Sequence, residues 1–527
     1  LDFLVTHAPI LIVALPLVAA FAIPLISISR GGDRGRNIFS LVIFGLIVFL
    51  VAILAENVHA VGIRVYTFGA TAPALAIPHG YTVPVRIMFE VDGMSIFMGL
   101  VITTVALASL IYSLHFMKGQ TGQARFYSLM FLLYAGMMGL AFTGDMFNMF
   151  VFLEIASIAG AGLAAYRTHM ADAVEGGFKY IVISAISALL VLFAIGILYA
   201  QYNVLSIAAL AHYMQMQTPT TLDMIALGLL AIAFVMKLAG VPLHMWAPDT
   251  YTVAPAGTTP MILAASYTSM YALYRVTFTL YGGVINTTAI GWIVIIVGVL
   301  SMFIGVMMAV HQTDIKRMMA YHAISQGGYM LLGVGVGLAV ISNPAALASY
   351  GRDAMNGGIF HIINHVFYKA LLFMTAEAIF FRIGTRDTNK MGGLARNMKW
   401  TAAFYVIGAL AISGIPPFNG FASKLLIYES VLKFSPVLSV IAMFVSLVTL
   451  ASFTKVFHSA FTGPELPAYK EVKEVPKSMI IGMSILAAFI IFFGIFPGLI
   501  VNTIVAPATN ALINQAGYIN AVMGVVP

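Results

Sequence analysis

The sequence predicts an all-α polytopic membrane protein of about fourteen transmembrane helices, the seventh and twelfth of them broken, and three observations carry that prediction. The first is composition. Of 527 residues, 61% are hydrophobic and 9% charged, with a mean hydropathy of +0.99, against roughly 25% charged residues in ordinary soluble domains. The second is layout: a soluble chain this long would form about three or four domains, yet here apolar runs of bilayer-spanning length follow one another almost without pause. The third is a matched pair of interruptions. FVMKLAGVPLHMWAPDTYTVAP puts Pro242 and Pro248 after Lys237, and ALAISGIPPFNGFASKLLIYES puts Gly414, Pro416 and Pro417 before Lys424. Proline removes a backbone donor and clashes with the preceding turn, so both helices unwind at membrane depth, where free carbonyls survive only inside protein or beside a wet cavity. Interrupted segments in two halves mark inverted repeats around a midplane site, here helices 4 to 8 and 9 to 13.

Taken in order, the chain opens with LDFLVTHAPILIVALPLVAAFAIPLISIS, which lacks the basic start of a secretory signal and is longer than its apolar core, so it reads as the first span. The spans fall near 8–29, 37–55, 94–116, 126–142, 146–166, 178–200, 222–244, 259–281, 287–309, 319–341, 357–381, 400–432, 436–460 and 477–500. Four regions follow: 1–125 with the first three helices, 126–281 as the first repeat, 282–460 as the second, and 461–527 with the last helix and a tail. Within the long connection 56–93, IRVYTFG and VPVRIMFEV alternate and predict a short hairpin over the membrane face. The uncharged residues after Ile500 predict a short amphipathic or loosely ordered tail.

The net charge of +7 does not signal nucleic acid, because the basic residues are spread over short loops. They report topology instead: 18 of the 26, including Lys118, Arg125, Arg167, Lys316, Arg317, Arg382 and Arg386, fall in odd-numbered connections. By the positive-inside rule both termini face outside. The chain has no cysteine, which excludes disulfides, zinc–thiolate sites and iron–sulfur ligation within it.

Against this apolar background Glu154, Lys237, Lys369, Glu377 and Lys424 fall well inside spans, with His361 and His365 beside them. Each mid-membrane charge costs about 2.5 to 3.5 kcal/mol on insertion scales. Locked structural ion pairs or snorkelling ends are the bland explanation, but snorkelling works only near helix ends. In HIINHVFYKALLFMTAEA, His361, His365, Lys369 and Glu377 stand at i, i+4, i+8 and i+16 and share one slowly rotating face of a helix. That ladder covers about 24 Å of a roughly 30 Å hydrocarbon core. Histidine exchanges protons near neutral pH, and burial or a neighbouring charge drags Lys and Glu toward that range, so the ladder suits a proton path. Metal binding by His361 and His365 competes, but no further ligand is apparent in the sequence. Glu154 and Lys237 are natural partners, and separating them would leave Lys237 desolvated and inclined to release its proton.

At these residues the sequence resembles a known family. TGDMFNMFVFLEIASIAG, FVMKLAGVPLHMWAPDTYTVAP, HQTDIKRMMAYHAISQGGYMLLG, HIINHVFYKALLF and SGIPPFNGFASKLLIYES are similar to signature segments of the antiporter-like subunits of respiratory complex I, of D-type Mrp sodium/proton antiporter subunits and of membrane-bound hydrogenase-type complexes. The resemblance spans about helices 3 to 13. It implies fourteen helices with two inverted five-helix repeats and a polar axis along the membrane plane. By motif, Glu154 and Lys237 match the helix 5 glutamate and helix 7 lysine, while His361, His365 and Lys369 match the helix 11 group. Lys424 matches the lysine of the second broken helix, a position that is glutamate in part of the complex I branch, so lysine leans toward the Mrp and hydrogenase branches.

One position departs from the pattern. Eight residues before Arg275, where the family commonly carries lysine or histidine, stands Tyr267, so either Tyr267, Tyr271 or water bridges the two halves or coupling through this point is weaker. Glu377 is a candidate by spacing alone, and His322 belongs either to the axis or to local packing.

The expected function is therefore ion translocation, of protons with sodium as the alternative, in the prokaryotic cytoplasmic membrane as a multi-pass subunit among other membrane subunits. Redox chemistry, with iron–sulfur or nickel–iron centres, would sit in partner subunits, and no cofactor is expected in this chain. Two rivals stand beside this reading: a structural scaffold whose charges are locked pairs, and a free-standing solute carrier holding an anion at the broken-helix ends.

Overall fold

The computed structural model describes residues 2–28, 32–68 and 87–524. Helices dominate it. α1 (Asp2–Ile28) and α2 (Gly32–Val61) lead into strands β1 (Arg64–Thr67) and β2 (Met88–Val91). Then come α3 (Gly93–Phe116), α4 (Gln123–Phe142), α5 (Met146–Ala164), α6 (Ala171–Tyr202), short α7 (Ile207–Gln215), α8 (Thr221–Lys237), α9 (Trp246–Val253) and α10 (Thr259–Tyr274). The second half holds α11 (Thr287–Val310), α12 (Ile315–Val340), one-turn α13 (Pro344–Ala346), α14 (Arg352–Ile383), α15 (Lys399–Ser413), α16 (Asn419–Phe434), α17 (Pro436–Phe457) and α18 (Lys477–Ile495). Four-residue α19 (Pro497–Ile500), α20 (Ala506–Ile513) and α21 (Gln515–Met523) close the described chain. Among the described residues, ten helices are long and apolar enough to cross a membrane.

Side-chain placement is that of a protein solvated by lipid. Leu189 and Phe193 on α6, Ile293 and Ile296 on α11, and Val440 and Leu447 on α17 are exposed, whereas Lys316, His361, His365, Lys369 and Glu377 are buried. Buried ionisable groups inside an apolar exterior invert the soluble pattern and mark a functional interior. The core is built on α12, α14 and α10, whose residues are buried almost end to end.

Local signals set the helix ends. Asp92 caps α3 by accepting from the Ser95 amide, Asp145 caps α5 from Asn148, and Thr220 with Asp223 forms a capping box on α8, each satisfying amides that a helix start leaves free. The expected hairpin is present as an antiparallel pair, Arg64 opposite Val91 and Thr67 opposite Met88, while its tip at 69–86 lies outside the described residues. The tail is not loosely ordered. Residues 506–523 form α20 and α21, and Tyr518 lays its ring 4.8 Å from the Arg275 guanidinium, so a buried cation inside the bundle holds the segment down.

The two predicted breaks are sharp. α8 stops at Lys237, Ala239 turns with φ 62°, a cis peptide joins Val241 to Pro242, and α9 starts at Trp246. α15 stops at Ser413, Gly414 turns with φ 76°, Pro416 to Pro417 is cis, and α16 starts at Asn419. Freed backbone groups find side chains, as burial demands: the Trp246 indole donates to Met236 O, the Val241 amide to Ser301 Oγ, and Lys424 Nζ to Ile412 O at 2.7 Å.

α3 separates two faces by about 36 Å. At its start lie the hairpin, Asp92 and Arg275; at its end Phe116 faces Arg167. His7 near the N-terminus bonds Tyr66 on β1, and α21 covers Arg275, so both ends of the described chain lie on the hairpin face. The opposite face carries a rim of ion pairs: Lys179 and Arg317 on Asp249, Arg386 on Asp314, and Arg167 on Glu377.

Candidate functional site

Lys237 ends α8 at its carbonyl pole, where a helix favours positive charge. Its ammonium donates to Ser157 Oγ on α5 and Ser184 Oγ on α6, both at 2.8 Å, and lies 4.9 Å from the Tyr180 ring. Glu154, half-buried on α5, makes no ion pair within 4.0 Å of it among the described residues. The expected partnership is thus not a contact pair. Two serines hold the lysine because their hydroxyls come from both neighbouring helices, and Glu154 stands in the same field without touching it.

Lys424 repeats the chemistry in the other half. Its ammonium bonds Ile412 O and, at 3.0 Å, Ser446 Oγ, and lies 4.8 Å from the Tyr329 ring. Here too a lysine meets the carbonyl end of a half-helix, a serine hydroxyl and a tyrosine face, with no ion-paired carboxylate among the described residues.

Between them the polar side chains form a row. From Lys237 the ring of Tyr180 meets Trp246 at 5.1 Å between centroids, Trp246 meets Tyr251 at 5.7 Å, and the Tyr251 hydroxyl bonds Ser266 Oγ at 2.7 Å. The next residue on α10, Tyr267, stands edge-on to His365 at 5.0 Å and donates to Ala323 O. His365 stacks near His361 at 6.3 Å. His361 Nε2 is 3.1 Å from Gln326 Oε1, and its Nδ1 is 2.9 Å from Ser423 Oγ, the residue before Lys424. Tyr368 OH reaches both Gln326 and His361 at 3.3 Å. Tyr267 therefore occupies the place between the halves where the sequence left a choice; Tyr271 points away, to Ser95, Arg275 and Ala141 O on the hairpin face.

Lys369 lies one turn from His365 with no hydrogen-bond partner, its ammonium 5.5 Å from the Phe453 ring and 5.7 Å from Phe373. His322 packs on the same Phe453 at 4.9 Å. Neither nitrogen of His322 or His365 is hydrogen bonded among the described residues. Unpaired buried polar atoms are rare and call for a partner such as water or an exchanging ion, and His322, Gln326, His365 and Lys369 bring several of them to this row.

Glu377, expected from its spacing, sits at the rim end of α14. It is clamped by Arg167 Nη2 at 2.5 Å and Lys316 Nζ at 3.0 Å, and Lys316 also donates to Ala254 O. Lys316 and Arg167, read from sequence as topology signals, are thus parts of a buried cluster, because loop charges next to a span fold inward when a carboxylate waits there. A cavity of about 370 Å³ lined by Arg167, His169, Pro255 and Gly384 reaches that cluster. Gln326, Tyr368, Ser157, Ser184, Ser423 and Ser446 were also missed. Only Gln326, a lone amide in HAISQGGYMLLG, left a signal in the sequence. No group of three or more His, Asp or Glu residues is set to hold a metal among the described residues, and both nitrogens of His361 face side-chain oxygens.

A polytopic bundle with two half-helix breaks and a buried row of lysine, histidine and tyrosine defines the class of antiporter-like membrane subunits. Residues 143–450 match the transmembrane family described as NADH:quinone oxidoreductase/Mrp antiporter, and 79–127 match the complex I chain 5 N-terminus; the chain belongs to this family. It is 32% identical over 464 residues to the D-type Na(+)/H(+) antiporter subunit of Alkalihalophilus pseudofirmus, covering 86% of this chain and 87% of that one. A chain of the archaeal membrane-bound sulfane sulfur reductase superposes with a TM-score of 0.84 at 26% identity, covering 98% of this chain and all of the other. A chain of the Mrp complex from a Dietzia species superposes with a TM-score of 0.86 at 23% identity, covering 99% and 100%.

Proposed function

We propose that the chain is an ion-translocating, antiporter-like subunit of a multisubunit membrane complex and that the ion it moves is the proton. The observation that carries this reading is the row from Lys237 to Lys424: three buried lysines without a carboxylate partner among the described residues, with hydroxyls, imidazoles, an amide and aromatic ring contacts between them. A lysine held by neutral groups in a buried site is poorly compensated for its charge and suited to giving it up. A change near Glu154 shifts Lys237, the proton vacates toward Tyr267 and His365, and Lys369 and Lys424 respond in turn. Moving one charge against 100 mV takes about 2.3 kcal/mol, the size of a change of less than about two pKa units in one lysine.

In this reading helices 4 to 8 and 9 to 13 are inverted repeats within fourteen spans. The basic rim faces the cytoplasm and both termini face outside, in a prokaryotic cytoplasmic membrane. Neighbouring membrane subunits supply the driving force. It is either a redox module carrying iron–sulfur or nickel–iron centres, or a sodium gradient exchanged as in Mrp antiporters. Glu377 with Arg167 and Lys316 forms the cytoplasmic mouth, one cavity away from water.

The test is Lys237→Met in the assembled complex, reconstituted in vesicles and followed with a pH-sensitive dye. Proton uptake should fall at least about tenfold with subunit content intact. Uptake equal to wild type would leave the scaffold reading standing.

A further inference from the structure

On the hairpin face two carboxylates share one cation. Arg275 gives both terminal nitrogens to Asp92, at 2.7 and 2.8 Å, and turns its remaining bonds to Tyr271, Ser95 and Thr279. Glu90, two residues earlier on β2, is 1% exposed, and neither of its oxygens has a hydrogen-bond partner within 3.5 Å among the described residues. Asp92, Arg275 and Tyr518 are the charged and titratable groups in its field, and the buried Tyr518 hydroxyl approaches its carboxyl as a donor without closing to 3.5 Å. One guanidinium cannot neutralise two buried acids, and an ionised, unbonded carboxylate is among the most costly groups to bury. Glu90 is therefore built to hold a proton of its own.

Its position gives that proton somewhere to come from and to go. Tyr267 and Tyr271 on α10 and Arg275 in the π-helical turn that continues it recur at i, i+4 and i+8, one line on a helix. The lower end of that line touches His365 in the central row, and the upper end meets the Arg275 cluster through Tyr271. Asp92 forms part of the wall of a cavity of about 590 Å³, with Glu56, His59 and Asn514, that opens toward the hairpin face. We infer that Glu90 is a proton-exchanging carboxyl at the hairpin-side mouth, loaded from the central row along the tyrosines of α10 and unloaded past Asp92 into that cavity. The Tyr267 and Tyr271 hydroxyls bond different carbonyls, Ala323 O and Ala141 O, so the transfer between them passes through water that takes up one proton as it gives up another, and Tyr518 on α21 closes the mouth from the side. This rests on the proton-translocation reading above.

The experiment uses the assembled complex in sided vesicles, comparing wild type, Glu90→Gln, Glu90→Asp and Lys237→Met by proton uptake and by infrared difference spectra of protonated carboxyls. Glu90→Gln should cut uptake about tenfold, Glu90→Asp should restore most of it with a displaced pH profile, and the wild-type carboxyl band should follow the pH on the hairpin side alone. The aspartate variant should move the band, which assigns it to position 90 even if the glutamine variant fails to assemble. Wild-type uptake in Glu90→Gln, or a band that follows sodium at fixed pH or the pH of the rim side, would overturn the inference. Uptake unaffected by Lys237→Met would instead sink the translocation reading itself.

Discussion

Lys369 and Glu377 stand two turns apart on α14, both fully buried, and differ in what removing them does. Lys369 has no anion and no hydrogen bond, only the faces of Phe373 and Phe453, so its charge is desolvated without compensation. Lys369→Met keeps the volume and drops the charge. It should raise the thermal stability of the complex, by about 1 to 4 kcal/mol if replaced buried ion pairs are a guide, while lowering proton uptake about tenfold. A fall in both would mean the lysine is structural. Glu377→Ala does the reverse to its surroundings, stranding Arg167 and Lys316. Removing one partner of a buried pair costs about 3 to 5 kcal/mol, and a melting temperature within error of wild type would refute the clamp. Glu90 adds a pH signature. Burial pushes its carboxyl well above the usual range, against the pull of Arg275. A group raised in the folded state contributes its stability at acid pH and loses it as pH rises through the folded value. The melting temperature should therefore decline from the ordinary carboxylate region, about pH 4 to 5, upward, and Glu90→Gln should flatten the decline.

At the level of helices, glycine spacing places the row. Gly298 on α11 faces Gly328 on α12 so closely that a Cβ at 298 would lie 2.9 Å from Gly328 O. Small residues allow such approach in membranes, where packing and not solvent drives helix association. α12 carries His322, Gln326 and Tyr329, so Gly298→Leu should push it off register, costing about 1 to 3 kcal/mol and lowering uptake without touching an ionisable group. Unchanged uptake and stability would show the seam to be slack. The breaks at Pro242 and at Pro416 were legible because proline and glycine act on their own backbone, and the hairpin was legible from alternation. α7, α20 and α21 were not. Their patterns are short, and α21 is held by Tyr518 on Arg275, a contact 243 residues away in sequence that no local signal encodes. The charged members of the row were visible because charge is conspicuous in an apolar helix. Serines 157, 184, 423 and 446 were invisible, since serine in a membrane helix ordinarily bonds its own preceding turn, and only the fold brings these hydroxyls to a lysine or a histidine.

Across the whole molecule, Lys237 and Lys424 sit in opposite halves, each bonded to serine, near a tyrosine ring and at the carbonyl end of a broken helix. If each half worked as its own conduit, Lys237→Met and Lys424→Met would each leave the other half running, and the double variant would lose the sum of the two. If the row through Tyr267 and His365 joins the halves in series, either single variant should lower uptake about tenfold, and the double variant should be no worse than the more damaged single one. Sites more than about 10 Å apart with no shared partner are normally additive, so non-additivity here would report coupling through the row and not local disturbance. Tyr267→Phe decides which link carries it. That change keeps the ring against His365 and removes the hydroxyl that donates to Ala323 O. In a series conduit it should reproduce most of the loss of either lysine variant, and additive losses with a silent Tyr267→Phe would establish two separate paths.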